Sequence, residues 1–284
     1  MSDFMRVRKI EGKRFPVSLD TAVVQFVDKT ADKTQKKKLR VDLVAAIHVG
    51  DKEYYDELNR LFKKYDAVLY ELVAEEGTVP DQKSAGKRSV ISAFQSSMGK
   101  SLDLDFQLAH INYHAKNMVH ADLSPEEFAK RVIERGDFVQ MIYRMLVLGV
   151  KKSGEKDAQK NEARMQGRLM GAMFSSNPPL SLKRFLAEEM MNQVNDADFI
   201  FGGANGSAII SDRNAAALEV LKKQIKNGKK RIAIFYGGAH SLEFAQRLEK
   251  DFHLERAETT WITAWDLTND KSARKVSKQD KPKN

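Results

Sequence analysis

The chain has 284 residues, of which 42% are hydrophobic and 31% charged, and its formal net charge at pH 7 is +9. This composition is typical of a globular protein with one large domain or two ordinary ones, and it excludes the collagen-like and intrinsically disordered classes. Cysteine is absent from the chain, which excludes disulfide scaffolds, cysteine-ligated zinc, iron–sulfur clusters and thiol nucleophiles. Any metal site must therefore use histidine, aspartate, glutamate or carbonyl oxygen.

The charge and the apolar runs bear on partners and compartment. A net charge of +9 over 284 residues is too thinly spread to predict a nucleic-acid partner. The first 15 residues lack the apolar core of a secretory signal, and no run approaches the roughly 20 apolar residues that span a bilayer. We therefore expect a protein without a transmembrane segment, cytoplasmic by default, although an exported mature form fits the same observations. The sequence leaves the oligomeric state open.

Taken in chain order, the first predicted elements are strands followed by a helix. Residues 21–27 and 41–47 are rich in β-forming residues, and the first of these strands is suited to a sheet edge. Apolar residues then recur every three to four positions over 53–65, which predicts a helix, and the apolar run 67–73 predicts a buried parallel strand. His48 lies in the turn between the second strand and the helix.

A later segment repeats this order of elements. Residues 232–236 predict a strand, His240 follows in a glycine-containing turn, and residues 243–252 have helical periodicity before a β-rich run at 259–265. Aligning the two segments superposes the apolar positions of their helices. We therefore predict an α/β fold whose mixed, largely parallel β-sheet is built from two repeated strand-His-helix units.

Helical periodicity dominates between the two units. Ser124 begins a capping box with proline at the first helical position, a pattern that marks a helix N-terminus. The predicted helices span 126–136, 138–150, 158–174 and 182–194. We expect these helices to belong to an insertion that caps the rest of the fold.

The domain organisation follows from this pattern. We predict a single α/β domain over residues 1–268, with the helical insertion at about 77–195. Residues 269–284 are rich in lysine and almost free of apolar side chains, which predicts a flexible basic tail.

Three chemically active side chains stand at the ends of predicted strands or just past them. His48 stands just past one strand, Glu71 near the end of the next, and His240 just past the strand of the second unit. Because parallel strands end at the same edge of a sheet, where open α/β sheets bind ligands, we expect these side chains to converge. Two imidazoles and a carboxylate match a 2-His-1-carboxylate site for a divalent metal, with open positions for water and substrate. Such a metal activates water for hydrolysis.

Glu71 is expected to have a cation nearby. A carboxylate at the end of an apolar run costs several kcal/mol to bury unless it is paired, metal-bound or protonated. A metal is one candidate for this cation, and Arg213, which begins an amphipathic stretch, is another. For either histidine alone, an ordinary cap or hydrogen-bonded residue in a strand-to-helix turn is the plainer interpretation. Two histidines at equivalent places, together with an acid, favour a shared site.

The residues at these positions resemble the motifs of a known family. The TraB/Tiki superfamily has a Gly-x-x-His motif, a glutamate, an Arg-Asn motif and a second Gly-x-x-His motif. Similar residues occur here in the same order, namely Ala-Ala-Ile-His at 45–48, Glu71, Ser-Asp-Arg-Asn at 211–214 and Gly-Gly-Ala-His at 237–240. The resemblance covers roughly residues 20–265. The superfamily includes Tiki-type metalloproteases, pheromone-shutdown proteins, erythromycin-esterase-like proteins and haem-binding relatives.

The resemblance implies roles for particular residues of this chain. Proteases of the superfamily use both motif histidines and the glutamate around a divalent metal, so His48, Glu71 and His240 would bind manganese or cobalt, with zinc also compatible. Arg213 matches the family arginine, which implies a fixed cation that pairs with Glu71 or holds an oxyanion; an exposed first-turn arginine is the alternative. The chain departs from the family at Ala45, where a methyl group in place of glycine could shift the turn and weaken the site.

His120 and Asp122 give a weaker signal. A His-x-Asp sequence can place two side chains on one side of an extended segment, so both residues are candidates for orienting a metal ligand without binding the metal themselves. A local turn that positions the following helix is the plainer alternative.

The predicted site favours a metal-dependent hydrolase, and the resemblance to Tiki-type proteases implies peptide or amide bonds as its substrate, with an ester as an alternative. Glu71 and Arg213 would be its catalytic residues. The competing hypothesis is a non-catalytic member of the same superfamily that binds a peptide, haem or another small ligand in the same cleft.

Overall fold

The computed structural model describes residues 3–28, 38–75, 77–80, 102, 104–154, 158–192 and 207–268. The predicted basic tail, 269–284, lies outside the described residues. Four stretches of the predicted insertion, 81–101, 103, 155–157 and 193–195, also lie outside them.

The described chain is organised around a mixed seven-stranded sheet. The strands are β1 (Met5–Arg8), β2 (Ser18–Val27), β3 (Arg40–Ala46), β4 (Val49–Gly50), β5 (Ala67–Tyr70), β6 (Asp105–Phe106), β7 (Met118–His120), β8 (Arg231–Gly237) and β9 (Glu255–Asp266). Strands β3, β8, β5 and β7 are parallel neighbours in that order, whereas β2 forms antiparallel pairs with β1, β3 and β9, and β4 and β6 form a separate antiparallel pair. This arrangement confirms the predicted α/β class with a mixed sheet.

Strand β2 lies inside the sheet. It pairs with β9 over most of its length, and with β1 and β3 along its first and second parts. The prediction that residues 21–27 lie at a sheet edge is therefore wrong. The reason is the length of β9, whose 12 residues cover the side of β2 that would otherwise be open.

Helices lie on both faces of this sheet. They are α1 (Lys52–Phe62), α2 (Gln107–His110), α3 (Pro125–Arg135), α4 (Asp137–Ser153), α5 (Ala158–Met173), α6 (Pro178–Asn192), α7 (Arg213–Lys226) and α8 (Ser241–Phe252). Within the described ranges, none of them has the length and apolar character needed to cross a membrane. We refer to α3, α4, α5 and α6 as the insertion helices.

Two apolar cores lie between the sheet and the helices that pack on its two faces. Helix α1 packs on one face through Tyr54 and Leu58, and α7 and α8 pack on the other face through Leu218 and Phe244. Successive residues of the central strands enter the two cores in turn, as the two-residue period of a strand requires. The sheet is therefore covered on both faces, and its carboxyl edge is the place where polar side chains can meet.

The two units share an order of elements but not a geometry. Strand β3 is followed by His48 and α1, and β8 is followed by His240 and α8. However, α1 and α8 pack on opposite faces of the sheet. The strand after α1 is parallel to β8, whereas β9, which follows α8, runs antiparallel to β2.

The predicted capping box is present at the start of α3. The backbone N–H of Glu127 donates to Ser124 Oγ at 3.2 Å, and the backbone N–H of Ser124 donates to Glu127 Oε2 at 3.1 Å. The helix ends at Gly136, whose φ of 63° is in the left-handed region that glycine adopts without strain. This end places the start of α4 immediately after the turn.

Helix α6 begins earlier than predicted. Its first residue is Pro178, and the sequence predicted a start at 182. Proline is tolerated in the first turn of a helix, where its missing N–H would have no partner within the helix. The Asn177 side chain also accepts a backbone hydrogen bond from this turn at 3.3 Å.

Candidate functional site

The carboxyl ends of the four parallel strands meet at one edge of the sheet. His48 follows β3, Glu71 follows β5, Asp122 follows β7 and His240 follows β8. A Cβ built on Gly237 would lie 3.2 Å from Glu71 Oε2, 3.5 Å from His48 Nε2 and 4.0 Å from His240 Cδ2. The three side chains predicted to share a site therefore surround one point at this edge.

Glu71 is almost buried and is held through both of its oxygens. Arg213 Nη2 donates to Oε1 at 2.8 Å, and the backbone N–H of Gly237 donates to Oε2 at 2.7 Å. Burial alone would raise the pKa of Glu71, but His240, Arg213, His48 and the Gly237 N–H together lower it to about 2. Glu71 is therefore ionised at neutral pH.

Arg213 joins Glu71 to a second carboxylate. Its Nε donates to Asp122 Oδ1 at 3.0 Å and its Nη2 to Asp122 Oδ2 at 2.6 Å. The Asp122 carboxylate is fully buried, with 0% of its side chain exposed. Because the two carboxylates form ion pairs with the same guanidinium, these three groups have a surplus of one negative charge. That surplus favours a further cation at the site.

His240 has a fixed orientation. Its Nδ1 lies 2.6 Å from Asn214 Oδ1, and the Asn214 amide nitrogen donates to the His240 carbonyl. Since the amide oxygen can only accept, Nδ1 carries the proton and Nε2 carries the lone pair. Burial lowers the pKa of His240 to about 4, against the opposing effect of Glu71, so the ring is neutral at pH 7.

His48 is oriented in the same way by a different residue. Its Nδ1 lies 3.2 Å from Gln107 Oε1, and the Gln107 amide nitrogen donates to the Tyr113 hydroxyl at 2.9 Å. The Gln107 backbone N–H also donates to the His48 carbonyl at 2.9 Å. The amide oxygen again accepts from Nδ1–H, and Nε2, which carries the lone pair in the neutral form of such a ring, faces Gly237.

These contacts fit the chemistry of a divalent metal. Metal-binding histidines typically donate their other ring N–H to an acceptor, which fixes the tautomer and raises the basicity of the ligand nitrogen. Both imidazoles here have that arrangement, and an ionised carboxylate stands beside them. Within the described ranges, however, no group of three or more His, Asp or Glu side chains is close enough, as placed, to hold an ion. Binding would require Glu71 to exchange one of its hydrogen bonds for the metal.

A wide helical turn places Arg213 and Asn214. Residues Ala208–Asp212 form a π-helical turn, and α7 begins at Arg213. π-Helical turns are rare and occur often at functional sites, because the extra residue changes the direction of the side chains that follow. Helix α7 is then fixed on the sheet by buried Leu218 and Leu221. The predicted amphipathic stretch after Arg213 is therefore present, and its first residue points to Glu71 rather than to solvent.

The structure separates His120 from Asp122. Asp122 contacts Arg213, whereas His120 Nε2 lies 2.6 Å from the Leu72 carbonyl oxygen. The two residues are therefore not a pair of ligands on one side of the chain. His120 contacts the backbone of the residue after Glu71, and Asp122 contacts the arginine that pairs with Glu71.

Ala45 is accommodated without strain. It is a fully buried residue of β3 in the core beneath α7 and α8. Among the described residues, His253 is the one non-glycine residue with a positive φ, so Ala45 does not need the conformational freedom of glycine. The methyl group packs in the core and leaves the turn before His48 in place.

Gln107 is a site residue that the sequence gave no reason to select. It lies 59 positions from His48 and belongs to no motif. Asn214, by contrast, was part of the Arg-Asn resemblance, although its contact with His240 was not predicted. A glutamine that orients a histidine leaves no periodic or compositional signal, and tertiary contact alone identifies it.

We predict that Gly237→Ala weakens the binding of a metal ion between Glu71, His48 and His240. The added methyl group would enter the space between Glu71, His48 and His240 at 3.2–4.0 Å, where a ligand would otherwise stand. We expect at least a tenfold loss of Mn²⁺ affinity in calorimetric titrations, with a stability change of about 1–3 kcal/mol. Gly238→Ala is the control, since its methyl group would meet the Met5 side chain instead. Equal losses of affinity in both variants would contradict this prediction.

We predict that the metal-free protein loses stability as the pH falls from about 6.5 to about 2. An unfolded histidine has a pKa near 6.5, whereas His240 has a pKa of about 4 when folded. Between these pH values the unfolded state therefore binds more protons than the folded state, so the free energy of unfolding decreases as the pH is lowered. Glu71, with a folded pKa of about 2, adds a further loss below about 4.5. Urea unfolding in EDTA at several pH values measures the slope.

The slope above pH 4.5 tests His240 specifically. The His240→Gln variant should have a shallower dependence between pH 6.5 and 4.5, by about 2 kcal/mol in total. His114→Gln replaces an exposed histidine outside the site and is the control. A wild-type slope in the His240 variant would show that the ring is not buried in its neutral form.

Comparisons of the chain with protein-family models, with curated proteins and with solved structures gave no match in any of the three. The TraB/Tiki resemblance therefore stays a prediction from the motifs. The function has to be inferred from the geometry and the chemistry of the site.

Proposed function

We propose that this protein is a metal-dependent hydrolase of the TraB/Tiki superfamily that cleaves peptide or amide bonds. The observation that supports this most directly is the pair of imidazoles whose Nδ1 atoms are bound by amide oxygens and whose Nε2 atoms are turned toward the ionised Glu71 and Gly237. His48, Glu71 and His240 would hold the ion, and manganese or cobalt would be favoured over zinc. The surplus negative charge at the site supports a cationic ligand.

The bound ion would polarise a substrate carbonyl and lower the pKa of a water molecule. The residues of the chain have separate parts in this chemistry. Asn214 and Gln107 keep the two imidazoles in the tautomer that leaves Nε2 unprotonated. Glu71, ionised at neutral pH, can accept the proton of the attacking water once it has moved away from one hydrogen-bond partner.

Arg213 would stabilise the negative charge that develops on the substrate. Its Nε and Nη2 are taken up by carboxylates, whereas Nη1 lies 3.5 Å from His240 Nε2 and faces the centre of the site. A donor in that position can bind the oxyanion of a tetrahedral intermediate. Asp122 holds the guanidinium in this orientation through Nε and Nη2, and it shares Nη2 with Glu71.

We also propose that residues 1–268 form one domain in which the insertion helices cap the site. Two contacts support this arrangement. Lys183 of α6 donates to Asp51, next to α1, at 2.6 Å, and Arg135 of α3 contacts Asp212 at 2.7 Å. The insertion helices are therefore attached on both sides of the carboxyl edge.

A non-catalytic ligand-binding protein is the competing function. Arg213 already neutralises part of the charge of Glu71, and the described residues contain no ready-made metal group. Both observations suit a cleft that binds a peptide, haem or another small ligand without a metal.

Metal binding and hydrolysis distinguish the two functions. The protein is purified without a chelating column and titrated with Mn²⁺, Co²⁺ and Zn²⁺, and hydrolysis of a mixed peptide library and of ester substrates is followed for each form. We expect binding of one ion per chain and metal-dependent cleavage of peptide bonds. His48→Ala and His240→Ala should each lose both properties.

His120→Ala is the matched control, because His120 lies at the same sheet edge but contacts the Leu72 carbonyl oxygen. The His120→Ala variant should bind the metal ion with the affinity of the wild-type protein. A wild-type protein that binds none of the three ions, and cleaves no substrate in their presence, would exclude the metal-dependent hydrolase.

A further inference from the structure

A bidentate salt bridge connects an insertion helix to the segment before Arg213. Arg135, in the last turn of α3, donates from Nε to Asp212 Oδ2 at 2.8 Å and from Nη2 to Asp212 Oδ1 at 2.7 Å. The Asp212 side chain is only 10% exposed. Paired, parallel hydrogen bonds of this kind fix the geometry of both partners more strongly than a single contact does.

A second contact fastens the other end of the same segment. The backbone N–H of Ala208, the first residue of the π-helical turn, donates to Asp137 Oδ2 at 2.5 Å. Arg135 and Asp137 flank Gly136, whose left-handed conformation allows both side chains to face the turn. The junction between α3 and α4 therefore holds the π-helical turn at its first and last residues.

The π-helical turn is directly followed by two residues of the site, Arg213 and Asn214. Four consecutive residues each contact a different part of the structure: Ser211 donates to Glu243, Asp212 accepts from Arg135, Arg213 binds both Glu71 and Asp122, and Asn214 binds His240. Neighbouring residues in a helical segment are about 1.5 Å apart along the axis and rotate together. A displacement of Asp212 must therefore move Arg213 and Asn214 as well.

We propose that Arg135 is a positioning residue that holds Arg213 and Asn214 in register with Glu71 and His240 by clamping Asp212. Through this clamp the insertion helices set the affinity of the site for its metal, a step that rests on the proposed hydrolase function. Arg135 itself touches neither the metal ligands nor the substrate. Its effect is indirect and should appear as a change in the state of Arg213.

The test measures the hydrogen-exchange rate of the Arg213 Nε–H by NMR in the metal-free protein. The Mn²⁺ affinity of each variant is measured separately by calorimetric titration. Arg135→Leu should accelerate hydrogen exchange of this group at least tenfold and weaken Mn²⁺ binding about tenfold. Arg135→Lys should lie between this variant and wild type, because lysine keeps the charge but cannot form two parallel hydrogen bonds. Lys130→Leu is the control, since Lys130 lies on the same helix but pairs with Glu134.

The exchange measurement decides the proposal even if the site binds no metal. A wild-type protein without Mn²⁺ affinity would exclude the hydrolase function, and faster Arg213 exchange in Arg135→Leu would still support positioning. Should Arg135→Leu not fold, Asp212→Asn breaks the same ion pair with little change in size and should give the same acceleration. Wild-type exchange at Arg213 in a folded Arg135→Leu or Asp212→Asn variant would overturn the proposal.

Discussion

On the proposed function, replacing Glu71 with glutamine should abolish metal binding and hydrolysis while leaving the protein folded. The amide lacks the charge that binds a divalent ion, so we expect Mn²⁺ affinity to fall at least about 100-fold. Loss of several kcal/mol of transition-state stabilisation corresponds to a fall in hydrolysis of about 1000-fold or more. Calorimetric titration and peptide cleavage at saturating Mn²⁺ measure the two effects.

The folding of the Glu71→Gln variant should be only moderately affected. Arg213 remains paired with Asp122, so no charge is left buried without a partner. The new amide N–H₂ group meets a donor, either Arg213 or the Gly237 N–H, which we expect to cost about 1–3 kcal/mol. Glu219→Gln, an exposed change on α7, should leave metal binding intact. Full metal affinity in Glu71→Gln would exclude this residue as a ligand.

Replacing Arg213 with methionine should destabilise the fold severely, unlike the Glu71→Gln change. This change leaves two ionised carboxylates, one of them fully buried, without the guanidinium that pairs with both. Breaking a buried ion pair by removing one partner costs about 3–5 kcal/mol. Urea unfolding at pH 7 should report a loss of this size, and the difference from wild type should shrink at lower pH as Glu71 becomes protonated.

Two further variants make the Arg213 result specific. Arg247→Met removes an exposed salt bridge to Asp251 and should cost less than about 1 kcal/mol. Adding Asp122→Asn to Arg213→Met removes one of the stranded charges and should recover part of the stability. If Arg213→Met costs no more than Arg247→Met, the buried charge network does not contribute to folding as the contacts indicate.

The positions of the site residues along the chain could be predicted because they depend on local pattern. Apolar runs marked β3, β5 and β8, and His48, Glu71 and His240 stand where those runs end. Parallel strands end at the same edge of a sheet, so residues at the ends of neighbouring strands lie close together. The need of Glu71 for a cation followed from burial energetics, and the structure supplies Arg213 at 2.8 Å.

Other features depended on strand order, which no local pattern determines. Insertion of β8 between β3 and β5 is what places His240 between the two residues of the first unit. The antiparallel pairing of β9 with β2 made a predicted edge strand an interior one. Likewise, the packing of α1 and α8 on opposite faces could not be deduced from their nearly superposable apolar spacing.

The amino-acid sequence by itself determined the longer strands and helices, and that two histidines and a glutamate stand at strand ends, because periodicity and burial are properties of neighbouring residues. Tertiary structure alone decided the partners that give these side chains their chemistry. Gln107 and Asn214 fix the two imidazoles, and Arg213 is shared by two carboxylates. The physical reason is that each such contact joins residues between 26 and 142 positions apart, so it exists only once the sheet has brought its strand ends together.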